Sequence, residues 1–111
     1  MPKQMAPLDR VFHALSDPTR RAVVERLGAG PLSTSALAEP FDMALPSFTQ
    51  HLGVLEDAGL VASEKQGRVR TYHLVRQPLE SAEHWMARQR DFWERRLDQL
   101  EDYLDRLKEQ S

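Results

Sequence analysis

Two short clusters of side chains carry the chemistry of this sequence. Ser47, Thr49, Gln50 and His51 offer two hydroxyls, an amide and an imidazole within five residues. Lys65, Arg68 and Arg70 place three cations within six residues. A primary amide donates and accepts together, so Gln50 suits the edge of an adenine. Small hydroxyls reach base edges or phosphate oxygens, and the cations suit phosphates or a minor groove. These are groups for recognising a polyanion. Catalytic constellations are absent: the sequence has no nucleophile elbow, no phosphate-binding loop and no dinucleotide fingerprint. The four histidines (His13, His51, His73 and His84) are scattered, and there is no cysteine to supply a thiolate, a disulfide or a redox switch. No catalytic residue, cofactor or metal site is expected.

The charge distribution fits this reading although the net charge of −2 at first opposes it. Residues 78–111 hold six Lys/Arg against nine Asp/Glu, a net of −3, whereas residues 1–77 hold nine against eight, a net of +1. Residues 65–76 contain Lys65, Arg68, Arg70 and Arg76 with no acid, and residues 43–55 contain no Asp, Glu, Lys or Arg. Binding to nucleic acid requires a local positive face and not a basic chain. With 111 residues the chain suits one domain. No apolar run approaches the roughly 20 residues of a membrane span, and Met1 to Leu8 lacks the apolar stretch of a signal peptide. A cytoplasmic location without a membrane partner is expected.

These clusters need elements to position them. Residues 1–7, with two prolines, read as a loose arm. Leu8, Val11, Phe12 and Leu15 predict a short first helix. Asp17 then caps a second, from Pro18 to about Leu27, closed by Gly28-Ala29-Gly30-Pro31. Ser33 caps a third, through about Glu39, which Pro40 ends. A fourth runs from about Leu45 to Ala58, with Phe48, Leu52 and Leu55 inward and Gly59 as its left-handed cap. On that wheel Ser47, Thr49, Gln50 and Gly53 fall outward, while His51 sits on the flank, equally suited to packing or to a DNA contact. Strands over Leu60–Lys65 and Arg70–Val75, turning at Gly67, put the basic cluster on a hairpin. A final helix of about 30 residues follows Pro78. The fold class is therefore mainly α with a small β-hairpin, in the order α-α-α-α-β-β-α. Two short helices before a hairpin make a winged helix-turn-helix. Residues 1–77 form the DNA-binding region and residues 78–111 a dimerisation helix, within a single domain.

The last helix carries Met86, Trp93, Leu97, Leu100 and Leu104 on a heptad-like seam, too long for so small a domain to cover. A second copy is the expected cover, with Leu8 and Phe12 of the first helix alongside. Such a homodimer would offer two reading helices to a palindromic stretch of double-stranded DNA. Two other readings remain open. One is a protein-interaction module on the same fold. The other adds a small-molecule effector at the dimer interface near Trp85, Phe92 and Trp93.

Four segments together resemble one family over nearly the whole chain. They are Ala14-Leu15-Ser16-Asp17-Pro18-Thr19-Arg20-Arg21, Gly30-Pro31-Leu32-Ser33, residues 50–61 from Gln50 to Val61, and Gly67-Arg68-Val69-Arg70-Thr71-Tyr72. The combination is similar to the ArsR/SmtB winged-helix repressors. The resemblance implies a homodimeric repressor of operator DNA, often of its own promoter. It also implies a fourth helix in the major groove and a dimer formed by the first and last helices. Departures matter too. The family's metal-sensing Cys-x-Cys box is replaced by Leu37-Ala38-Glu39-Pro40-Phe41-Asp42-Met43, and Glu80 and His84 are a lone pair where a fuller ligand set is expected. Ala44 stands where a capping serine is frequent, and Gly53 where Lys or Arg is frequent.

Overall fold

The computed structural model describes residues 5–110. Helix α1 covers Pro7–Leu15 and α2 covers Pro18–Leu27. Strand β1 (Leu32–Ser33) leads into α3 (Thr34–Ala38), and α4 covers Leu45–Asp57. Strands β2 (Val61–Gln66) and β3 (Val69–Leu74) precede α5 (Gln77–Glu109). Residues 1–4 of the expected N-terminal arm lie outside the described residues, and Pro7 already opens α1.

The helix boundaries follow from local polar groups. The Asp17 carboxylate accepts from the Arg20 backbone N–H at 3.0 Å, and Pro18 occupies the first turn of α2, where no N–H is missed. The Ser33 hydroxyl accepts from the Ala36 N–H at 3.2 Å and starts α3. That helix ends at Ala38, two residues before Pro40. Ala44 precedes α4 with no side-chain cap. At the other end of α4, Gly59 has φ 75°. Its N–H donates to the Glu56 carbonyl at 2.9 Å, and the Leu60 N–H donates to that of Leu55 at 3.0 Å. This pair satisfies two orphan carbonyls and requires a left-handed residue between them.

The sheet differs from the expected hairpin by one strand. Its order is β1-β3-β2, all antiparallel. Leu32 faces Tyr72 and Ser33 faces Thr71, so the chain before α3 pairs with the far side of the hairpin. The hairpin itself is displaced by one residue from the expected spans, because its turn is the two-residue Gly67-Arg68 with Gly67 at φ 61°.

The core is drawn from every helix and from the sheet. Val11 and Ala14 of α1, Val23 and Leu27 of α2, and Leu37 of α3 enclose Phe48, Leu52 and Leu55 of α4. Leu60, Val61, Tyr72 and Ala82 complete it. The first turns of α5 join this core through Leu79 and Ala82, whereas residues 90–110 are exposed throughout. A helix of 33 residues spans about 50 Å, and the molecule is accordingly elongated at 76 Å.

Two outcomes test these caps. Gly59→Ala leaves the new methyl an ordinary 3.6 Å from the Pro78 ring. It nonetheless forces an L-residue into the left-handed region, so urea denaturation should show a loss of about 1–2 kcal/mol. Burial pushes the Asp17 carboxyl upward. The Arg20 backbone N–H, the neighbouring His51 and Arg20 side chains and the Thr19 N–H outweigh that and hold it below the usual carboxylate range. A depressed folded-state pKa stabilises at pH values above the unfolded-state value, about 3.9, and the contribution is lost as pH falls through the folded value. Asp17→Asn keeps a capping side chain but not the charge. The wild-type advantage in urea midpoint should therefore be present at neutral pH and be lost progressively as pH falls below the unfolded-state value of about 3.9.

Candidate nucleic-acid interface

The recognition elements are set by what each buries. On α4, Phe48 and Leu55 are fully buried and Leu52 is 1% exposed. Their i, i+4, i+7 spacing commits one face inward, and Ser47, Thr49 and Gln50 lie exposed on the remainder of the first two turns. The Thr49 hydroxyl donates back to the Pro46 carbonyl at 2.9 Å. Gly53 has open space where a Cβ would stand, so its helix penalty of roughly 1 kcal/mol relative to alanine is not offset by any close packing. Over Ser47–Gln50 the outward surface of α4 is thus polar and uncharged, with Leu45 exposed before it and the acids Glu56 and Asp57 exposed at the far end of the helix.

His51 is placed differently from its neighbours. It is half-buried, and its Nδ1 lies 3.2 Å from Nη1 of Arg20 and 3.6 Å from the Asp17 carboxylate. Its ring is held against α2. Arg26 makes the corresponding link to α3: its Nη1 donates to the carbonyls of Ala36 and Leu37, each at 2.9 Å. Both helices of the helix-turn-helix are therefore tied to α2 by arginines.

The wing carries the second cluster. Lys65 and Arg70 are directly opposite across β2 and β3, both exposed, and Arg68 occupies the turn. Like charges in this position repel, and a phosphate between them would remove that cost. Arg70 is also held from below: Nη1 donates to the Ser63 hydroxyl at 2.9 Å, and that hydroxyl donates to Glu56 at 3.4 Å. Burial, and then the charge and hydrogen bonding of Glu56, push the Tyr72 phenol up, with Arg70 pulling partly the other way. Thr34 donates to the Arg70 carbonyl at 3.4 Å, which fixes the wing to the start of α3.

The residues expected at a dimer face are spread along α1 and α5. Leu8 and Phe12 pack on the edge of the core, with Phe12 meeting the Trp85 ring edge-to-face at 5.8 Å. Met86, Trp93, Leu97, Leu100 and Leu104 remain between 47% and 63% exposed. An open groove of about 600 Å³ runs between α1, the end of α4 and the start of α5. Of the three aromatic residues Trp85, Phe92 and Trp93, only Trp85 lines it. Among the described residues no three His, Asp or Glu side chains gather as a metal site, and no helix is long and apolar enough to cross a membrane.

Sequence reasoning missed Arg20. Its signal was its place: Arg20, Val23 and Leu27 share the i, i+3, i+7 stripe that α2 buries.

This arrangement has known counterparts. A helix-turn-helix domain family matches residues 15–64. An HTH-type transcriptional regulator of Mycobacterium tuberculosis is 39% identical over 97 residues, covering 87% of this chain and 88% of that protein. The transcriptional repressor SdpR of Bacillus subtilis is 33% identical over 79 residues, covering 71% of this chain and 88% of the repressor. Among solved structures, an ArsR family transcriptional regulator superposes with a TM-score of 0.78 at 52% identity, covering 80% of this chain and 98% of that one. With the short polar face of α4, the basic wing and these relatives in view, the chain belongs to the ArsR/SmtB family of winged helix-turn-helix transcriptional regulators, which are DNA-binding proteins and not enzymes.

Proposed function

We propose that the chain is a cytoplasmic repressor that binds a palindromic operator as a homodimer. Helix α4 enters the major groove, with Gln50 reading a base edge and Ser47 and Thr49 reaching bases or phosphates. Lys65, Arg68 and Arg70 of the wing lie on the flanking backbone. The observation that carries this reading is the outward face of α4. Its exposed Ser47, Thr49 and Gln50 are short enough for close approach, and residues 43–55 hold no acid to repel phosphates.

The distal part of α5 supports a second copy. Trp93 is 63% exposed and Leu97 62%, and Leu100, Leu104 and Leu107 continue the same stripe. Full burial of such a side chain is worth roughly 1.5–3 kcal/mol, and about half of each is still exposed, so covering them gains on the order of 1 kcal/mol apiece. Spacings of 4, 3, 4 and 3 from Trp93 to Leu107 suit a helix–helix seam. Residues 1–77 supply the DNA-binding region and residues 78–111 the dimerisation helix. A two-fold dimer presents two copies of α4, which suits half-sites about 34 Å apart, one turn of DNA. Repression then follows from occupying a promoter, its own among the candidates.

Two variants separate the roles. Arg68→Ala should weaken binding to all DNA similarly and reduce the slope of log affinity against log salt by about one unit. Gln50→Ala should cost about 1–3 kcal/mol on the preferred sequence and little on random DNA. Anisotropy titrations on both DNAs at several salt concentrations read these effects. A changed sequence preference without lost overall affinity in Arg68→Ala would contradict the wing assignment. Equal loss on both DNAs in Gln50→Ala would contradict base reading.

A further inference from the structure

Arg20 is the one charged side chain among the described residues that the core takes in, at 9% exposure. A guanidinium does not give up its charge, so its buried N–H groups must find acceptors in the protein. They find them on two other helices. Nε donates to the Ala14 carbonyl at 2.7 Å and Nη2 to the His13 carbonyl at 3.1 Å, both at the C-terminal end of α1. The last carbonyls of a helix lack the usual i+4 donor; that of His13 is shared with the Ser16 N–H at 3.1 Å and the Ser16 hydroxyl at 2.6 Å. Nη1 faces Nδ1 of His51, in the middle of α4, at 3.2 Å.

A guanidinium only donates, so a hydrogen bond from Nη1 uses the lone pair of His51 Nδ1 and places the ring proton on Nε2. Asp17 flanks the same atom at 3.6 Å and is itself anchored by the Arg20 backbone N–H. One planar, rigid fork therefore joins the end of α1 to the middle of α4. His51 follows Gln50 directly and lies one helical turn after Ser47.

We propose that Arg20 and His51 are positioning residues for DNA reading: the guanidinium, gripping α1 and the His51 ring together, fixes the rotation of α4 about its axis. That rotation sets the direction in which Gln50 and Ser47 leave the helix. The inference rests on the reading of α4 as the groove helix. It also gives a route between the two proposed faces. Helix α1 carries Leu8 and Phe12, so the guanidinium also joins the proposed dimer face to α4.

The test compares the full chain with His51→Leu and His51→Gln. Leucine fills space without an acceptor, and glutamine restores one. Each protein is titrated onto the DNA upstream of its own gene and onto scrambled DNA at one salt concentration. Thermal unfolding and amide exchange of residues 47–51 are recorded in parallel. In His51→Leu the ratio of preferred to scrambled affinity should fall about tenfold, the scale of one misplaced base contact. Scrambled affinity should be unchanged and the amides should exchange faster. His51→Gln should recover most of the ratio. A role in stability alone would lower the melting temperature and leave the ratio as in the wild type, which overturns the proposal. Failure of glutamine to recover any of the loss overturns the hydrogen-bond account. Where the wild type itself prefers neither DNA, exchange alone decides. Faster exchange in His51→Leu then supports the clamp, and unchanged exchange overturns it.

Discussion

Phe48, Leu52 and Leu55 recur at i, i+4 and i+7 on α4, and the core closes around all three. Burying them fixes which side of α4 can face anything else. Turning the helix so that Ser47 or Gln50 faced inward would bring polar groups into an apolar interior and expose a phenylalanine ring, at a cost of several kcal/mol. The neighbouring elements are arranged around this stripe. Helices α1, α2 and α3 pack against it, and Leu60 and Val61 carry the chain from it into the sheet. The outward polar face is the complement of the buried one.

Apolar packing sets which face is inward but leaves the rotation of a short helix loosely determined. Here polar groups at helix ends narrow it. Arg20 and Arg21 take the last carbonyls of α1, the latter at Leu15 with 2.8 Å, and Arg26 takes those of α3. Asp17 and Ser33 take the first N–H groups of α2 and α3. Helix α2 is thus bound to α1, α3 and α4 by its own side chains, and three of those links are arginines whose geometry is fixed by a planar fork. A small domain whose core is modest gains definition from these bonds as well as stability.

Much of this was legible in the residues because the signals are local. Asp17-Pro18, Ser33 and Gly59 mark helix ends by chemistry that acts within three or four residues, and each stands where it was expected. The stripe of α4 was legible because Phe48, Leu52 and Leu55 match one helical period. Strand β1 was not, since two residues cannot show an alternation and their partner lies about 40 residues further on. Arg20 was hidden for a similar reason. A charged residue in an amphipathic helix reads as solvent-facing, and its acceptors come from carbonyls of another helix. The contact of Arg70 with Ser63 was not legible, because it runs diagonally between two strands and depends on side-chain direction as well as on their register.

The two ends of the molecule have opposite characters. The first turns of α4 and the tip of the wing expose Ser47, Thr49, Gln50, Lys65, Arg68 and Arg70, with Leu45 and Val69 beside them; along α5, an acidic helix carries an uncovered apolar stripe. The most direct test is an anisotropy titration of the purified chain on the DNA upstream of its own gene, at several salt concentrations, with scrambled DNA beside it. Preferential binding by two chains per duplex, weakening steeply as salt rises, is the predicted result. No binding to either DNA at low salt would contradict the account.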